Sequence, residues 1–166
     1  MHILNNRFNY LRGMEALAAF LLPLMFSWHW NKAPDDVDWP LGYAALFAVS
    51  FLLVQGALYW HLKQRALTGD AALPPWFGTV FGAFKVVNLL VFGALGVAFG
   101  LKIGRAGWNM TLAWPAGIFG FAVLEHINYY YYQLMYDTSN AVRYVLRNRR
   151  LRKAALGIDL QRTRRA

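Results

Sequence analysis

Glu125 and His126 stand side by side, followed by Asn128, four consecutive tyrosines from Tyr129 to Tyr132, then Gln133 and Tyr136. Carboxyl, imidazole, amide and phenol groups gathered so closely could relay a proton or hold a polar substrate. At about 100° per residue of helix, Glu125, Asn128, Tyr129, Tyr132 and Tyr136 share one face, with His126 and Gln133 beside it. The same side chains could instead form a buried hydrogen-bonded network that fixes which helices pair. Both readings stay open on the sequence.

A second polar group lies in another apolar stretch. Lys85 is the sole charge between Trp76 and Leu101, and Asn88 follows one turn later. An ammonium inside a membrane helix is costly, and such groups pair or mark a pathway. At 1.5 Å per residue, Lys85 is roughly 14 Å from Trp76 and Glu125 roughly 18 Å from Asp137, so their depths agree within about one turn. Lys85 and Glu125 are therefore expected to pair, with Asn88, Asn128, Gln133 and tyrosine hydroxyls completing the bonding. Gln55 belongs to the same half of the membrane.

Other chemistries find little support, and no catalytic residue is assigned. Glu125 and His126 are adjacent, whereas di-iron bundles use Glu-x-x-His. His29, His61 and His126 fall in different segments, so no metal site, haem or other cofactor is expected. The chain has no cysteine, which excludes disulfides, thiol catalysis and iron–sulfur ligation. No phosphate-binding glycine loop, nucleophile elbow or zincin motif is present.

The elements that must position these groups follow from composition. Of 166 residues, 58% are hydrophobic and 15% charged, against about 25% charged in a soluble domain. The deficit leaves four apolar runs, near 14–30, 41–62, 76–101 and 108–136, each near or above the roughly 20 residues that cross a bilayer. The fold class expected is an all-α, four-transmembrane-helix antiparallel bundle over 1–137, with a basic cytoplasmic tail over 138–166. Trp28 to Lys32 is no small-x-small cleavage site, so the first run reads as a retained signal anchor, with Pro23 as a kink.

Orientation follows from the cations. Arg7, Arg12, Lys63, Arg65 and nine residues after the fourth run would share one side, leaving Lys32, Lys102 and Arg105 on the other. The positive-inside rule then places both termini in the cytoplasm. Trp28, Trp30, Trp39, Trp108 and Trp114 would mark the outer boundary, Trp60 and Trp76 the inner one. The localisation expected is a multi-pass cell-membrane protein of the bacterial inner-membrane kind.

Gly78, Gly82, Gly96 and Gly100 share one face of the third run as two small-xxx-small pairs, an expected packing face toward this chain or a second copy. Val80, Phe84, Val87, Val91, Ala94 and Ala98 would face lipid. In the tail, a helix from Ala141 to about Leu156 would carry Arg143, Arg147, Arg149, Arg150, Arg152 and Lys153. Gly157 would end it, and Gln161 to Ala166 would fray. Beside a membrane these cations suit anionic headgroups or an acidic protein better than nucleic acid.

These features lead to a non-enzymatic accessory, scaffold or self-associating subunit as the first expectation. The alternatives are a small transporter or proton-coupled carrier using Glu125, His126 and Lys85, and a membrane enzyme acting on a lipid or quinone.

Overall fold

A computed structural model describes residues 2–69, 72–135 and 139–163. Among them the chain is all-helical, and four helices are long and apolar enough to cross a membrane. These are α1 (His2–Trp30), α2 (Trp39–Thr68), α3 (Phe77–Ala106) and α4 (Ala113–Tyr130). Two short helices follow, α5 (Ser139–Asn148) and α6 (Ala155–Thr163).

Local chemistry sets several ends. The Asp38 carboxylate caps α2 by accepting the Leu41 N–H at 3.3 Å, and Pro40 occupies the first turn, where a missing N–H costs nothing. The other Asp38 oxygen takes the Lys102 ammonium at 2.8 Å, and the Asp38 N–H bonds the Thr111 carbonyl. One residue thus ties α2, the end of α3 and the loop before α4. Gly69 and Gly107 close α2 and α3 at φ +90° and +72°, a region that favours glycine.

The core is built around α2, which packs on α1, α3 and α4. Of its most apolar window 56% is buried, against 6% for α1. At one end Arg12 and Glu15 of α1 meet His61 and Trp60 of α2. At the other, Trp30 lies on Gly42, where a Cβ would come within 2.7 Å of the indole. Phe77 and Phe81 of α3 pack on Tyr59, Phe84 on Phe51, and Phe119 of α4 on Phe92 and Phe99.

Three expectations need correction. The last long helix stops at Tyr130, not Tyr136: the N–H groups of Tyr131 and Tyr132 both bond the Ile127 carbonyl, and the Asn128 side chain accepts the Leu134 N–H at 2.8 Å. Tyr136 itself lies outside the described residues. The tail is not one helix. Arg149, at φ +50°, follows α5, while Gly157 and Gln161 sit inside α6.

The packing face of α3 also differs. Phe77, Phe81, Asn88, Leu95 and Phe99 are its buried residues, and Phe84, Val91 and Ala98 of the expected lipid stripe pack on the core. Gly96 and Gly100 face open space, while Gly78 meets Thr163 of α6 and Gly82 lines the same groove. Bulky side chains interlock with α2 and α4 here, and the glycine row is turned away from them.

Candidate functional site

The polar residues form three groups, two of them set by α4, whose consecutive residues point about 100° apart, and a third between α2 and α6. Glu125 and Tyr129 form one row, and His126 and Tyr130 form the next.

The second row meets α2 and α3. Gln55 Nε2 donates to Asn88 Oδ1 at 3.0 Å, and Asn88 Nδ2 returns a bond to Gln55 Oε1 at 2.9 Å. The Tyr130 hydroxyl donates to the same Gln55 oxygen at 2.8 Å. Asn88 Nδ2 also lies 3.5 Å from His126 Nδ1. Gln55 and Asn88 are each only 2% exposed, so each supplies the partner that water would otherwise provide. The His126 ring packs among Phe92, Tyr130 and Tyr131, and its Nε2 has no partner among the described residues.

The first row faces α1 and holds a residue that the sequence reading passed over. Glu15 Oε1 accepts the Trp60 indole N–H at 2.9 Å, and the Tyr129 hydroxyl comes close enough to interact with the same carboxyl. Its Oε2 nevertheless has no partner of hydrogen-bond geometry among the described residues. Gly56 makes the space, since a Cβ there would collide with Glu15 Oε2 and the Tyr129 hydroxyl. Glu125 is near enough to act on Glu15 electrostatically, and its own Oε2 accepts from Asn128 Nδ2 at 3.3 Å. Among the described residues neither carboxylate has an ion-pair partner.

The expected Lys85–Glu125 pair does not form. Glu125 is on the α1 side of α4, whereas Lys85 reaches the other side, with Nζ 4.0 Å from the Tyr131 ring centre. That geometry is a cation–π contact. Tyr132, placed by helical spacing beside Glu125, leaves the helix, bridges Lys153 and is 47% exposed. Gln133 likewise bonds the Met135 carbonyl rather than the cluster.

The third group joins α2 to α6 around Asp159, a residue the sequence had not singled out. Asp159 of α6, 4% exposed, accepts from the Tyr59 hydroxyl at 2.9 Å and from Lys63 Nζ at 2.6 Å. Arg143, Arg147, Arg149, Arg150, Arg152 and Lys153 all have exposed side chains.

Each missed residue carried a signal. Glu15 is the one carboxylate inside the first apolar run, and Asp159 the one acid in the basic tail, set between Leu156, Ile158 and Leu160. The histidines lie apart, and among the described residues no three His or carboxylate side chains gather where they could hold a metal. Comparison with family models, curated proteins and solved structures finds no match.

Proposed function

We propose that this is a small, non-enzymatic polytopic membrane protein, an accessory, scaffold or self-associating subunit. Its buried polar cluster fixes helix pairing, and its basic C-terminal segment meets lipid or a cytoplasmic partner. The observation that carries this reading is the reciprocal Gln55–Asn88 amide pair with Tyr130 bonded to it. A buried, mutually bonded cluster of that kind holds helices together, because its amides and hydroxyl satisfy one another across α2, α3 and α4. The proposed setting is an antiparallel four-span bundle in a bacterial inner membrane with both termini cytoplasmic. The reversed order of α1–α2 contacts and the excess of Lys and Arg on one side support it.

The test is the mass of the particle extracted from native membranes in mild detergent. A complex larger than one chain, with itself or with another membrane protein, is expected. A lone monomer across mild detergents would overturn the reading.

A second reading, a proton-coupled carrier, is favoured by one observation. Glu15 and Glu125 lie within electrostatic reach of each other without a basic partner among the described residues. Carboxyls inside a membrane are functional candidates by default. Lys85 and His126 would stand on the opposite side of α4 in such a mechanism. Proteoliposomes with an internal pH dye test it. Proton movement that Glu15→Gln and Glu125→Gln each abolish would establish it, and dye-silent vesicles would remove it.

A further inference from the structure

The C-terminal segment leaves the end of α4 and comes back to it. Tyr132 and Lys153 form an antiparallel bridge. It is flanked by the Gln133 N–H bonded to the Arg152 carbonyl at 2.9 Å and the Ala154 N–H bonded to the Tyr131 carbonyl at 3.0 Å. Beyond the bridge, α6 is fastened to the helices. Asp159 binds Tyr59 and Lys63, Ala154, Leu156 and Leu160 are buried, and Gly157 lies on the Tyr130 carbonyl so closely that a Cβ would come within 2.6 Å of its oxygen. The described residues 133–135 and 139–152 therefore belong to a loop with a closed neck, where a basic tail carrying one helix was expected.

That loop carries α5. Val145 lies across the helix from Arg143 and Arg147. Leu146 is 73% exposed and Leu151 42% exposed, beside the exposed Arg147, Arg149 and Arg150. Arg152 stacks on Tyr144, 4.4 Å from its ring centre, which brings the returning segment against α5. No acidic residue occurs between Asp137 and Asp159. The neck begins one residue past α4, so a bilayer crossed by α4 brings the loop to headgroup level.

Exposed leucines beside clustered arginines match a surface that is apolar beneath and anionic above. A nucleic acid would engage the arginines and leave the leucines in water. We propose that the loop closed by the Tyr132–Lys153 bridge is an interfacial anchor, with Leu146 and Leu151 in the acyl boundary and Arg143, Arg147, Arg149 and Arg150 on the phosphates of anionic lipids. Helices with a basic face and an apolar face lie in the interface plane in this way, and juxtamembrane cations favour anionic leaflets. The closed neck tethers α5 at both ends beside α4, so less freedom is lost on docking. The inference rests on the membrane reading above and commits its basic segment to lipid.

The absence of cysteine makes the test direct. Leu146→Cys, and separately Phe47→Cys on the exposed side of α2, each carry one nitroxide in the full chain. The vesicles are phosphatidylcholine alone or mixed with phosphatidylglycerol, and accessibility to oxygen and to an aqueous nickel complex is read by power saturation. The Leu146 label is expected to be oxygen-accessible and nickel-shielded in anionic vesicles. It should revert to water-type accessibility in neutral vesicles, or when Arg143, Arg147, Arg149 and Arg150 are all changed to Gln. A Leu146 label that stays nickel-accessible in anionic vesicles, while the Phe47 label is shielded, overturns the anchor. Equal shielding in neutral vesicles overturns the anionic assignment, and shielding that needs an added RNA oligonucleotide overturns lipid as the partner. A nickel-accessible Phe47 label overturns the membrane reading itself.

Discussion

Lys63 Nζ lies 2.6 Å from Asp159 Oδ2, joining the end of α2 to the last helix across 96 positions of sequence. The carboxylate side chain is 5% exposed and the lysine 24%, so the two partners are not equivalent. Lys63→Met would leave a buried carboxylate with only the Tyr59 hydroxyl, at a cost of about 3 kcal/mol. Asp159→Asn keeps a bond to Tyr59 and leaves an ammonium that can turn to water, so it should cost about 1 kcal/mol. Thermal unfolding in detergent, with limited proteolysis of the C-terminal segment, checks the order. Equal costs would mean that Asp159 is not held as described.

Gly56 and Gly96 offer a paired comparison. A methyl at Gly56 meets Glu15 and Tyr129, whereas one at Gly96 meets nothing within 4 Å. Gly56→Ala should destabilise by about 1–3 kcal/mol, as overpacking does. Gly96→Ala should stay within about 0.5 kcal/mol of the parent. A large loss at Gly96 would show that a second chain covers that face.

The four long helices were legible because hydropathy acts over whole segments. Four apolar runs gave four long helices, and each of the four helices overlaps its expected run. What the sequence left hidden depended on rotation and on distant pairing. A 100° step on α4 sends Glu125 and His126 to different neighbours, so depth matching alone paired Lys85 with the wrong side. Helical periodicity carried the last span on to Tyr136, because nothing local announces that Tyr132 will bridge Lys153. Glu15 was overlooked at the edge of a span, although a lone carboxylate there is the same signal that drew attention to Glu125.

Topology can be read with fusions. Reporters at the C-terminus and in the loop before Pro74 should behave as cytoplasmic, and one near Asp36 as external, following the Lys and Arg bias. An external C-terminus would invert the setting proposed for α6 and the arginine-rich loop.

Trp60 donates to Glu15 at 2.9 Å, which makes its fluorescence a reporter of that group. Glu15→Gln preserves an acceptor and should change the emission little, while Glu15→Leu removes it and should shift the Trp60 band. The comparison is made in a background with the other six tryptophans changed to Phe. Identical spectra for Gln and Leu would mean that the indole bonds something else.

The central claim is that the polar cluster serves as a helix lock, and the Gln55–Asn88 pair tests it most directly. Gln55→Leu and Asn88→Leu should each cost about 1–3 kcal/mol, because each strands a buried amide. The double substitution should cost less than the two single costs together, by about 1 kcal/mol, within the range of interhelical bonds in membranes. Reversible unfolding of the four proteins in lipid supplies the cycle. Coupling of that size with unchanged particle mass is the result this account predicts. Costs that add within about 0.3 kcal/mol would contradict it.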